Sequence, residues 1–188
     1  DTQELSAWSQ TWGHPHAVMH KERGYPVALT SSAPITVVER RTTGFHHGYL
    51  HVQTHGYDIF VVHFWPDKVH EAEHVAQRAR RLVEAGRSVL VVGDFNAEIR
   101  HDEAYLREQG QQGKVIDGQR VFDYRITDAF LDSGFVDVVH QHDPSAHYTF
   151  GSPALIPRWR KNLAGVYTSR RRIDFVFADT LTARITTH

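Results

Sequence analysis

The apolar positions of this chain follow two periods. Val69, Ala72, Val75, Ala76, Ala79, Leu82 and Val83 recur at three- and four-residue intervals, predicting a helix over 68–85 that Gly86 ends. On either side of it the apolar residues run consecutively instead. Ile59-Phe60-Val61-Val62 and Val89-Leu90-Val91-Val92 lack polar alternation, the pattern of strands covered on both faces. Residues 48–54 and 57–64 form a predicted hairpin around His55-Gly56. Further strands are expected at 26–30, 35–41, 135–140, 147–150 and 172–178. Asp1 caps a predicted amphipathic helix over 1–12, with Leu5, Trp8 and Trp12 on one face and Gly13 as its stop. Shorter helices are expected at 101–109 and 127–133, an exposed loop at 110–119, and an irregular basic loop at 153–169 carrying Arg158, Trp159, Arg160 and Lys161. Hairpins interleaved with helices imply a mixed sheet.

Composition narrows the picture by exclusion. The 188 residues are 40% apolar and 23% charged, ordinary for a water-soluble globular domain. A net charge of -1 gives no global basic field, which weighs against strong non-specific binding of long nucleic acids. With no cysteine there is no disulfide framework, thiolate metal site or cysteine nucleophile. No stretch has transmembrane length, and the chain contains no signal peptide. It opens on Asp1 rather than methionine, as a chain whose leader or N-terminal part has been removed would, and compartment stays open. The 15 histidines are a high number, available as ligands or proton carriers but mostly expected at the surface.

Three predicted strand ends carry polar residues that an apolar core would not select. His63 follows four apolar residues; Asp94 and Asn96 stand two apart after Gly93, on one side of an extended chain; Asp174 sits inside a strand behind Arg170, Arg171 and Arg172. A carboxylate and a carboxamide at a sheet edge can hold a divalent cation, orient a water or donate to a phosphate oxygen. Singly, each has a plain alternative: a core histidine, an Asp/Asn turn, an edge-strand ion pair.

Taken together and in this order, the strand ending in His63, Gly93-Asp94-Phe95-Asn96 and Arg172-Ile173-Asp174-Phe175 resemble the endonuclease/exonuclease/phosphatase superfamily, the fold class of deoxyribonuclease I, exonuclease III and bacterial sphingomyelinases. Gly24-Tyr25-Pro26-Val27-Ala28-Leu29, followed by Ala33-Pro34-Ile35, looks like the strand-turn-strand that precedes the histidine in that family. The resemblance implies a four-layer α/β/β/α sandwich, two mixed and mostly antiparallel sheets flanked by helices. It implies hydrolysis of a phosphate ester with Mg²⁺ or Mn²⁺. His63 would bind or protonate the leaving side, Asp94 would activate the attacking water, and Asn96 would donate to a phosphate oxygen. Asp94 and Asn96 would hold the metal, and Asp174 would orient a partner histidine. The substrate class stays open among small phosphoesters, lipid head groups and nucleic acids, with near-neutral charge favouring the first two over duplex DNA. No stable protein partner is implied.

Two parts of the family pattern are absent. Gln3-Glu4 is not preceded by a strand, so Glu4 reads as a dipole-favoured acid in a first helical turn rather than as the family's metal-binding glutamate. His188 lacks the preceding aspartate of the family's final histidine. The expectation is a single domain over 1–188 cut at both termini and poorly active alone. A non-catalytic binding domain on the same fold is a further reading, against which the joint presence of His63, Asp94, Asn96 and Asp174 weighs.

A motif from another class competes. His70-Glu71-Ala72-Glu73-His74 fits the H-E-x-x-H pattern of zinc metallopeptidases on a predicted helix, though no third ligand follows at a recognisable spacing. Arg170 and Arg172, within the only basic concentration, can recognise substrate phosphate or merely form a solvated face. His46 or His47 could face the active-site side of the sheet, but a solvated turn is the expected reading.

Overall fold

A computed structural model describes residues 2–151 and 170–185. Helix α1 (Thr2–Thr11) leads into a hairpin of β1 (His16–His20) and β2 (Val27–Ser31). Strands β3 (Thr36–Arg41), β4 (Tyr49–Thr54) and β5 (Tyr57–His63) follow, then α2 (Val69–Glu84) and β6 (Ser88–Asp94). A 3-10 turn at Arg100–Asp102 enters α3 (Glu103–Glu108), which precedes the short strands β7 (Lys114–Ile116) and β8 (Gln119–Val121). Then come α4 (Arg125–Leu131), β9 (Phe135–Asp137), α5 (Val138–His142), β10 (Asp174–Asp179) and α6 (Thr180–Ile185).

Six strands form the main sheet in the order β3-β4-β5-β6-β10-β9. All neighbours are antiparallel except β5 and β6, which run parallel because α2 carries the chain back between them. Helices α2 and α4 cover one face. The β1–β2 hairpin lies over β4 and β5 on the other, with α1 against β1. The layers are thus helix, sheet, sheet, helix, as expected, and the second sheet has two strands among the described residues.

The unalternating run of β5 now has its cause. Phe60 and Val62 point into a core with Ala72, Val75, Ala76 and Ala79 of α2, while Ile59 and Val61 join Val18, Val27, Leu50 and Val52 beneath the β1–β2 hairpin. Each large side chain buried this way contributes about 1.5–3 kcal/mol. Burial on both faces fixes the register of β5, because a one-residue slip would exchange the two cores.

Several expectations are corrected. Trp8 and Trp12 are 62% and 54% exposed, and the small Ser9 is the buried residue of α1. β1 stands where only a helix stop was expected. The expected loop over 110–119 contains the β7–β8 hairpin, whose turn residues Asp117 and Gly118 both take positive φ. The strand expected over 135–140 ends at Asp137, whose side chain accepts from the His140 N–H and starts α5 instead. Residues 147–150 form no strand, only a bridge from Phe150 to Arg171. The basic loop over 153–169 and His188 lie outside the described residues. No helix among the described residues is long and apolar enough to cross a membrane.

Candidate active site

Pairing across three adjacent strands sets His63, Asp94 and Asp174 in one row. His63 of β5 is in register with Asp94 of β6, and Asp94 with Asp174 of β10. Directly opposed residues project from the same face of a sheet, so an imidazole and two carboxylates converge at the strand ends. His63 Nε2 lies 3.4 Å from Asp94 Oδ2.

The residues of Gly93-Asp94-Phe95-Asn96 divide the work of the strand exit. Gly93 has φ 137°, and a Cβ there would stand 2.0 Å from the Val62 carbonyl oxygen, so only glycine lets β5 and β6 approach. Phe95 is fully buried against Phe64, Phe130, Phe175 and Phe177, anchoring the strand exit in the core. Asn96 turns the chain with φ 48°. Its backbone N–H donates to Asp94 Oδ1 at 2.8 Å, and its Nδ2 donates to the Phe64 carbonyl at 3.0 Å. Thr149 Oγ1 accepts from the N–H groups of Ile173 and Asp174, at 3.2 and 3.1 Å, and thereby ties the 149–151 segment to the row.

The row opens into a cleft of ≈ 600 Å³ lined also by Tyr25, His47, Trp65, Pro66, Phe150 and Ile173. Tyr25 stacks on the His63 ring at 5.7 Å, and the His47 ring lies 4.2 Å from it. His47 is no solvated turn residue: it is 2% exposed, and its Nδ1 accepts the Tyr25 N–H at 2.9 Å. Sequence periodicity gave no sign of it. Gly24 makes room for the ring: a Cβ on it would stand 2.0 Å from His47 Nδ1.

Burial governs the titration of the row. It lowers the pKa of His63, against the opposing pull of Asp94 and Asp174. It raises that of Asp94, partly offset by the Asn96 N–H and by His63. Burial also drives His47 down to about 4, helped by the charges of His63 and His46. The cleft therefore favours a neutral His47 and a carboxylate more basic than a solvated aspartate.

The arginines divide differently from expectation. Arg172, expected to bind substrate, is buried away from the cleft. Its Nε donates to Asp102 Oδ2 at 2.9 Å and its second amino group pairs with Asp137 Oδ2 at 2.7 Å, so its charge is spent on two buried carboxylates. Arg170 stacks over Tyr148 at 4.5 Å and is not among the residues lining the cleft. Arg171 packs over Phe150 and lines a polar groove that continues the cleft past Pro66, Asn96 and Ile173 towards Gln111 and Lys114.

The H-E-x-x-H residues do not converge. Glu71 is buried, and its carboxylate accepts the His46 N–H at 2.8 Å and the Trp65 N–H at 3.4 Å, bracing two loops of the cleft. His74 packs against Phe45 and Tyr49, and His70 is exposed. Among the described residues no group of three His, Cys, Asp or Glu is arranged to enclose a metal, around His70 and His74 or elsewhere. Glu4 is exposed on α1 and does not line the cleft.

A profile of the Endonuclease/Exonuclease/phosphatase family matches residues 2–187. Among solved structures, the 3′-5′ exonuclease NExo from Neisseria meningitidis superposes with a TM-score of 0.63 at 18% identity, over 95% of this chain and 72% of its own. The 3′ phosphatase NExo from Neisseria bound to a product DNA hairpin gives 0.62 at 16% identity over the same shares. An AP endonuclease from Archaeoglobus fulgidus gives 0.62 at 18% identity, again over 95% and 72%. No curated protein matches by sequence.

Proposed function

This chain belongs to the Endonuclease/Exonuclease/phosphatase family, and from that premise we propose that it is a divalent-metal-dependent hydrolase of phosphate esters acting through His63, Asp94, Asn96 and Asp174. The observation that carries the reading is the register row of His63, Asp94 and Asp174 at the floor of an open cleft.

The donor set fits a hard cation. Asp94 and Asp174 supply carboxylate oxygens and Asn96 a carboxamide, all lining one cleft. Mg²⁺ is commonly held by one or two carboxylates, with waters and substrate phosphate completing the shell, so a closed protein cage is not required. Asp94 and Asn96 would be the ligands, and Mg²⁺ or Mn²⁺ would supply Lewis acidity to the phosphoryl oxygens.

The protein groups do the rest. Asp94, with its Oδ1 held by the Asn96 N–H, would orient the attacking water beside the cation it helps to hold. His63 would serve the leaving oxygen; burial favours its neutral form, and the charges of Asp94 and Asp174 pull the other way. The free hydrogen of the Asn96 carboxamide donates to a non-bridging oxygen. Arg172 takes no part. Among substrates, the DNA hairpin bound to the Neisseria phosphatase supports a nucleic-acid end. Tyr25 and Trp65, 65% and 40% exposed at the cleft mouth, offer stacking surface for a base.

Bis-p-nitrophenyl phosphate and p-nitrophenyl phosphate, each with Mg²⁺, Mn²⁺ or EDTA, test the proposal. Metal-dependent release is expected, abolished in Asp94→Ala, with the preferred ester separating diesterase from monoesterase. No release with either metal would leave a binding domain as the better reading.

A further inference from the structure

The His47 imidazole is built into the cleft wall at some cost. Its Nδ1 accepts the Tyr25 N–H, so the ring's own proton sits on Nε2. That Nε2 is buried and finds no hydrogen-bond partner among the described residues. An orphaned buried donor of this kind disfavours the folded state, and such groups in native proteins call for an explanation. The backbone is shaped to accept the ring: Gly24 has φ +63°, and a Cβ on it would stand 2.0 Å from His47 Nδ1. The ring lies 4.2 Å from that of His63, in the wall of the same cleft, and touches Trp65, whose side chain is exposed.

We propose that His47 is a second catalytic histidine, a fixed neutral donor whose Nε2–H hydrogen-bonds an anionic oxygen of the bound phosphate once the ligand displaces Trp65. The inference rests on the phosphoester reading of the cleft and adds to it a dedicated oxygen-binding donor. A neutral imidazole suits this role, because it brings a hydrogen bond to the charge developing on phosphorus-bound oxygen without adding a titrating cation next to His63. Because Tyr25 fixes the tautomer, the proton already sits on Nε2 when Trp65 moves aside, and no binding energy is spent selecting it.

Two measurements on the whole chain test this. In ¹⁵N-histidine-labelled protein titrated with inorganic phosphate, the His47 Nε2–H resonance is expected to move downfield and to exchange more slowly with water. A His47 signal that stays still while His63 moves overturns the assignment. If neither histidine responds, the phosphate-binding reading of the cleft fails, and this inference with it. The second measurement compares His47→Gln, whose amide nitrogen stands near the Nε2 position, with His47→Asn, whose oxygen replaces only the Nδ1 acceptor. The Asn variant should lose about 10- to 100-fold in kcat/KM, as expected for a hydrogen bond to a charged group. The Gln variant should lose less. Equal losses, or the reverse order, would assign His47 to anchoring Tyr25 and overturn the proposal.

Discussion

Two histidine–aspartate pairs lie on neighbouring strands of one sheet and behave in opposite ways. His51 of β4 and Asp58 of β5 meet at 2.8 Å with side chains 3% and 0% exposed; His63 of β5 and Asp94 of β6 stand 3.4 Å apart at 20% and 28%. Asp58 also accepts from Gln53 and Arg87, at 2.9 and 2.7 Å, and these donors hold its pKa down although burial pushes it up. Asp94 receives one backbone N–H through its Oδ1, and burial wins, raising its pKa. The same two residue types thus give a closed structural knot where protein donors occupy the carboxylate, and an open pair where its second oxygen is left towards a cleft. What separates the two pairs is unspent hydrogen-bonding capacity.

The comparison breaks first at Asp94. Asp94→Ala should lower phosphoester turnover by on the order of 10³-fold, or about 4 kcal/mol, while leaving the unfolding midpoint nearly unchanged. Loss of folding in that variant would make Asp94 a structural group and erase the distinction. Asp58→Ala should do the reverse. It strands the His51 and Arg87 donors and should cost about 3 kcal/mol of stability, read from urea unfolding, with turnover per folded molecule preserved. Unchanged stability there would mean that the knot holds nothing together.

The sequence revealed those regions to different depths. β5, β6, β10 and α2 were legible because burial on two faces, or on one helical face, leaves a long apolar signature: Ile59 to Val62, Val89 to Val92 and the Val69–Val83 periodicity. His63, Asp94, Asn96 and Asp174 were legible because they interrupt those runs, and the structure brings all four to one cleft. β1 was not, since only Ala17, Val18 and Met19 separate its terminal histidines. The β7–β8 hairpin had its Asp117-Gly118 turn in plain sight, but its flanks are too polar to read as strands. Arg172 and His47 share a deeper reason. An arginine two residues before Asp174 reads as a candidate substrate ligand until Asp102 and Asp137, distant in sequence, claim it. A histidine in a turn reads as solvated until Tyr25 folds over it.

A pH titration sharpens the same comparison at lower amplitude. His47 has a folded pKa of about 4 against an ordinary 6.5, so between those values the unfolded chain binds the extra proton. Stability should therefore be fully present above pH 6.5 and decline as pH falls towards 4. Burial lowers His51, His63 and His74 in the same direction. Asp58, with a depressed pKa, adds stability above its unfolded value of 3.8 and loses it only below that, so it does not contribute to the decline. Thermal unfolding from pH 7.5 to 4 should show the falling midpoint, and His47→Asn should flatten it. Burial raises Glu71 and Asp94, which opposes the decline, so the test is the difference between the two proteins: an identical pH slope in His47→Asn contradicts the burial of a neutral His47.

The smallest effect is expected from the competing H-E-x-x-H motif on α2. His70 is exposed and His74 packs its ring against Phe45 and Tyr49, while Glu71 between them braces the His46 and Trp65 backbones. Replacing both histidines by alanine removes a surface side chain and part of one aromatic contact. Stability should fall by about 1 kcal/mol, nearly all from His74, and turnover of a phosphoester should stay within about twofold. Zinc titration should give no activation in either protein. A collapse of turnover, or zinc-dependent cleavage of casein that vanishes in the double variant, would move the chemistry from the strand ends to α2 and undo the distinction between occupied and unspent carboxylates.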